Sequence, residues 1–142
     1  MNERQIELVR QSFERAARIA ADLAATFYAE LFAIEPSLRA RFKGDMIVLG
    51  QKPMNTLRFV VEGLDRPGDV SPVVQALAVK HLEYGVEQRH YAQVGAALMR
   101  TLTHELGWGF PLEMRVAWTA AYQGVADAMI EAAYGEGADR SV

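Results

Sequence analysis

The sequence predicts an all-α domain of about seven helices packed orthogonally around one pocket. Three observations carry that expectation. Ala, Leu, Glu and Arg, all good helix formers, are frequent. Apolar residues recur three or four positions apart, and no stretch alternates with period two. The chain has 142 residues, of which 51% are hydrophobic, enough for one core. A single domain over 1–142 follows, with 135–142 read as a frayed tail.

Each element has its own signal. Asn2 can cap a first helix whose apolar positions are Ile6, Val9, Phe13 and Ala16. A second helix carries Leu23, Phe27, Tyr28, Leu31 and Phe32, and stops near Glu35 because Pro36 follows. Pro36 suits the first position of a short helix ending near Phe42. After a KGD turn comes a helix with Leu57, Val60, Val61 and Leu64 inward, closed by DRPGD. Ser71-Pro72 reads as the start of the next, with Val74, Leu77, His81 and Tyr84 on one face and Gly85 at its end. Another runs from about Glu87 to Leu106, with Tyr91, Val94, Leu98 and Leu102 inward, and Gly107 and Gly109 end it. Pro111 opens the last, whose stripe is Trp118, Tyr122, Val125, Met129 and Ala132. The unequal helix lengths argue against a symmetrical four-helix bundle.

Composition narrows the function. Charged residues make up 23% and the net charge is −3, which offers no basic field for nucleic acid. No apolar run approaches the roughly 18 residues that cross a membrane, and MNERQIELVR lacks an apolar signal core. A cytoplasmic location fits. With no cysteine, disulfides, thiolate-held metals and a cysteine nucleophile are excluded. A transition metal would have to be held by histidine, oxygen ligands or a cofactor.

The segment AVKHLEYGVEQRHY holds two of the three histidines. His81 shares a helix face with Val74, Leu77 and Tyr84 and so points inward. Its ring nitrogens then need partners. It is either a core histidine bonded to another side chain or a metal ligand. No His-x-x-x-His or Glu-x-x-His gives it a second ligand within one helix, so a bare zinc or di-iron site is poorly supported. One protein ligand suffices when haem supplies four nitrogens. His90, among Glu87, Gln88 and Arg89, reads as a solvated first-turn residue. His104 sits near a helix C-terminus, where a partly charged imidazole is favourable. Tyr91 belongs to an apolar stripe. No phosphate loop or nucleophile elbow occurs, and paired carboxylates read as surface charge.

Four stretches resemble one known family: TFYAELFAIEPSLRARF at 26–42, KHLEYGV at 80–86, HYAQVGAALM at 90–99 and AWTAAYQGVADAMIEAA at 117–133. Together they are similar to bacterial single-domain haemoglobins and the globin module of flavohaemoglobins, and more distantly to neuroglobin-like globins. The likeness runs from about Glu7 to Tyr134. It implies a globin fold that binds haem b, with His81 as the proximal iron ligand. Phe42 matches the phenylalanine that wedges against the porphyrin, Pro36 the proline opening that short helix, and Trp118 a core position. Tyr28 matches the distal tyrosine. Val86, Tyr91 and Val94 match haem-lining positions, and Phe32, Leu57, Leu77 and Lys80 complete the implied contacts. Lys52 could reach a propionate.

Two departures stand out. An ungapped count back from His81 puts Leu49 at the distal position where relatives often carry glutamine, and Pro53 one turn later. A register shifted by two makes Gln51 distal instead; Leu49 is preferred, because MNTLRFVVEGLD then aligns without insertion. Relatives also pair the proximal histidine with a tyrosine and a glutamate. Tyr91 matches the tyrosine, but Ala133 falls where the glutamate belongs, and Glu131 lies about 200° away around the helix.

The resemblance implies a protein that binds oxygen reversibly at ferrous iron, for storage or delivery, with Tyr28 and Gln51 as donors to the gas. Nitric oxide dioxygenation with a separate reductase is the enzyme alternative, because 142 residues leave no room for a flavin reductase domain. A gas-sensing globin is a third class, and a haem-free one would show no Soret band. Implied partners are oxygen, NO or CO and a reductase, with the chain a monomer or weak homodimer.

Overall fold

The computed structural model describes residues 1–41, 57–83 and 87–135, with the backbone alone for 40, 41, 67 and 80–83. The described residues are helical and turn segments. The α-helices are α1 (Glu3–Ala17), α2 (Ala20–Ile34), α3 (57–62), α4 (Pro67–Glu83), α5 (Gln88–Leu106) and α6 (Leu112–Tyr134). Two 3₁₀ segments, Pro36–Arg41 and Gly107–Gly109, follow α2 and α5. The all-α expectation is borne out, with a helix count close to the seven expected.

Local chemistry sets most boundaries. Asn2 Oδ1 accepts the Gln5 N–H at 2.8 Å while Gln5 Oε1 accepts the Asn2 N–H at 3.1 Å, a reciprocal capping box. Pro36 ends α2 at Ile34 and starts the 3₁₀ segment, as expected. Gly107 takes φ +50°, a conformation that favours glycine, and closes α5.

Two expectations fail. α4 begins at Pro67 rather than at Ser71-Pro72, and Pro72 lies inside the helix. Pro67 already supplies the preset first-turn φ. Pro72 withholds an N–H from the carbonyl of Gly68, but both residues are exposed, so water can serve that carbonyl. In α6, Ala132 is exposed and Ala133 is half-buried. The 3.6-residue period carries the inward arc through Ala126, Met129, Ile130 and Ala133.

Packing pairs α2 with α5, α4 with α6, and α1 with α6. Three apolar clusters result. The first joins Val9 and Phe13 of α1 to Val61, Leu102, Ala117 and Trp118. The second joins Val60, Val74 and Ala78 to Tyr91, Met129 and Ile130. The third joins Tyr28, Leu31 and Phe32 to Leu38 and Ala97. Arg10 of α1 donates to the carbonyls of Val61 and Glu62, at 3.4 and 2.8 Å, and pairs with Asp65 at 2.9 Å. It thereby satisfies carbonyls at the C-terminus of α3. None of the described helices is long and apolar enough to cross a membrane.

Candidate functional site

α5 is shared by the second and third clusters. Tyr91 and Val94, one turn apart on one face of α5, belong to different clusters: Tyr91 packs with α4 and α6, Val94 with α2. The candidate site residues of α2 and α4 accordingly fall in the two groups that α5 joins.

On the α2 side, Tyr28 is 4% exposed. Its ring stacks on Phe32, four residues on, with centroids 5.8 Å apart at 26°, and meets the edge of Phe27 at 5.4 Å. Burial raises the pKa of the Tyr28 hydroxyl, which therefore stays protonated and able to donate. The Arg39 guanidinium lies 4.9 Å over the Phe32 ring and ties the first 3₁₀ segment to the same face.

On the α4 side, Val74 is buried and Leu77 half-buried against the second cluster. His81 stands in the last turn of this helix, one turn beyond Leu77, with Lys80 beside it. On α5, Tyr91 is buried, and burial, reinforced by Tyr134, pushes its pKa up to about 12. Leu57 of α3 packs on the first cluster. Phe42, Leu49, Gln51, Lys52, Pro53, Val86, Tyr84 and Gly85 lie outside the described residues, as do the side chains of Lys80 and His81.

His90 corrects the sequence reading. It is 0% exposed, not solvated. Its Nδ1 accepts the Glu87 N–H at 2.9 Å, which satisfies a donor at the start of α5. The neutral ring then carries its proton on Nε2, 3.7 Å from the Glu87 carboxylate. A histidine at the third position of a helix is not a usual capping signal, so only the fold exposes this role. His104 is exposed in the last turn of α5, as expected.

A polar lock adjoins the α2–α5 contact. The Glu35 carboxylate accepts from Ser37 at 2.6 Å, Gln93 at 2.9 Å and Arg89 at 2.9 Å. The Ser37 and Gln93 hydrogen bonds, with the Arg89 charge, hold its pKa down at about 2. Arg89 also donates to Glu87 at 2.9 Å. Sequence reasoning missed this lock, because residues 35 and 89 meet only through tertiary packing.

The donor chemistry fits a haem. α4 carries one histidine, His81, in its last turn. Among the described residues no group of three or more His, Asp or Glu is arranged to hold a bare metal ion. One imidazole is the protein ligand set that a porphyrin completes.

Fold and site residues together define an all-α protein whose candidate ligand, His81, stands at the end of α4. A family model described as Globin matches residues 25–129. The chain is 35% identical over 107 residues to a flavohemoprotein of Bordetella parapertussis, covering 73% of this chain and 27% of the relative. It is 31% identical over 110 residues to a flavohemoprotein of Pseudomonas aeruginosa, covering 75% and 28%. It is 28% identical over 148 aligned positions to one of Bacillus thuringiensis, covering 96% and 36%. The chain thus spans about a third or less of the length of these relatives. A solved bacterial globin of Campylobacter jejuni shares its fold, with a TM-score of 0.81 at 21% identity over 93% of this chain and 96% of that one. The chain belongs to the globin family, a family of haem-binding proteins, and resembles the globin module of flavohaemoglobins.

Proposed function

We propose that this chain binds haem b through His81 and holds oxygen reversibly at the ferrous iron. Haem, when bound, would supply a ferrous iron that can take up a diatomic gas. Every other part of the proposal concerns the chain's own residues. The observation that carries it is Tyr28, a protonated hydroxyl on a buried tyrosine within an aromatic and aliphatic cluster on α2. Such a donor stabilises a gas ligand that gathers negative charge, because a hydrogen bond to charge strengthens in a low-dielectric site. Phe32, Leu77 and Val94 supply apolar walls that exclude water and slow oxidation of the iron. Gln51, or Leu49 in the other register, completes the distal side, and Phe42, Val86, Pro53, Lys52 and Lys80 complete the haem contacts.

His81 would be oriented from α4, with Tyr91 as its neighbour on α5. Ala133, at the position where relatives carry a glutamate, packs with the apolar cluster around Tyr91. No carboxylate from that position then raises the basicity of the imidazole, so the push toward peroxidase-like chemistry is weak.

Nitric oxide dioxygenation is a second reading, favoured by the flavohemoprotein relatives. It would need electrons from a reductase, either a partner or a further domain.

Reconstitution with haem tests the proposal. The wild-type chain should develop a Soret band and an oxygen-dependent, reversible spectral change, and His81→Ala should lose both. No Soret band, or one unaltered by His81→Ala, sinks it. Nitrate formed over many cycles with a reductase supplied would favour the second reading.

A further inference from the structure

Tyr122 of α6 reaches into the backbone of α5. Its hydroxyl donates to the carbonyl of Tyr91 at 2.5 Å. The N–H of Gly95 faces the same oxygen and offsets part of the rise that burial imposes on the Tyr122 pKa. An α-helix pairs these two groups with each other, the carbonyl of residue 91 with the N–H of residue 95. The tyrosine oxygen therefore sits at one rung of the α5 ladder.

Gly95 is the socket that admits the ring. A Cβ built there would stand 2.7 Å from Cε2 and 3.0 Å from Cδ2 of Tyr122, closer than packed carbons tolerate. The turn so gripped carries Tyr91 and Val94, the two candidate site residues of α5. A cavity of about 60 Å³ lies beside the ring, between Gln88, Gln123, Ala126 and Ile130. The hydroxyl is thus an anchor on a ring that has space to shift.

We propose that Tyr122 is a positioning residue for the haem pocket: seated on Gly95, it fixes the α5 turn that carries Tyr91 and Val94. This rests on the reading of the pocket as a haem site. It assigns Tyr122 no contact with haem or gas.

Tyr122→Phe keeps the ring and removes the anchor. Ser12→Ala is the control, because it deletes a buried hydrogen bond to the same helix α6, but in the α1 interface. Two readouts are made on each haem-loaded variant: amide hydrogen exchange of residues 94–96, and the ferrous iron–imidazole stretching frequency. Tyr122→Phe should speed Gly95 exchange about tenfold and shift the stretch. Ser12→Ala should do neither. The inference is overturned if Tyr122→Phe moves neither readout or only one, or if Ser12→Ala moves them equally. Failure to load haem overturns the functional reading instead. Amide exchange in the haem-free chain then decides whether Tyr122 grips the turn.

Discussion

The indole Nε1 of Trp118 donates to the hydroxyl oxygen of Ser12 across 2.7 Å, with both side chains buried. Ser12 in turn donates to the Leu8 carbonyl at 2.7 Å, so this polar pair within the first cluster is satisfied. Ser12→Ala strands the indole N–H in an apolar setting. The expected loss is about 1–3 kcal/mol in unfolding free energy, read by urea titration. A cost below a few tenths would mean that water reaches the indole.

His90 presents a different kind of burial. His90→Ala removes the acceptor for the Glu87 N–H and leaves a hole at the start of α5. Destabilisation of about 1–3 kcal/mol is expected. His90→Gln can still present an acceptor and should recover part of it. Were His90 solvated, both variants would melt like wild type.

The Glu35 lock gives the fold an acid limb. The folded pKa is about 2, below the ordinary value of 4.5. The stability it contributes is therefore complete above pH 4.5 and is lost as the pH falls toward 2. Glu35→Gln should lower the melting temperature at pH 6 and flatten its dependence on pH between 5 and 2. Parallel wild-type and variant curves over that window would refute the lock.

For the proposed gas site, the side chain to test is Tyr28. Tyr28→Phe keeps the stacked ring and deletes the donor. Oxygen dissociation measured by stopped flow should speed about tenfold, as the loss of one hydrogen bond to a charged acceptor predicts. An unchanged off-rate would assign the distal donor elsewhere, with Gln51 next to test.

Much of the scaffold was legible in the sequence because it is local. Asn2 and Gln5 cap each other three residues apart, Pro36 stops α2, and Gly107 ends α5, all through contacts within one turn. Ser71-Pro72 misled because Pro67, four residues earlier than Ser71, already starts the same helix. Ala132 was a one-residue slip: spacings of three and four coincide until the last turn of a 23-residue helix, where the fold selects Ala133. The Glu35 lock and the Tyr122 anchor were missed because they run between helices.

By itself, then, the sequence determined an all-α chain, the ends of most helices and their apolar stripes. Those properties depend on backbone sterics and on side-chain spacing within a few residues. Only the tertiary structure decided that His90 is buried, that Glu35 locks onto Arg89 and Gln93, and that Tyr122 reaches the carbonyl of Tyr91. Tyr91 and Tyr122 are 31 positions apart, and Glu35 and Arg89 are 54. Such pairs meet only when helices cross, and no periodicity along one helix records which residue of its neighbour it will touch.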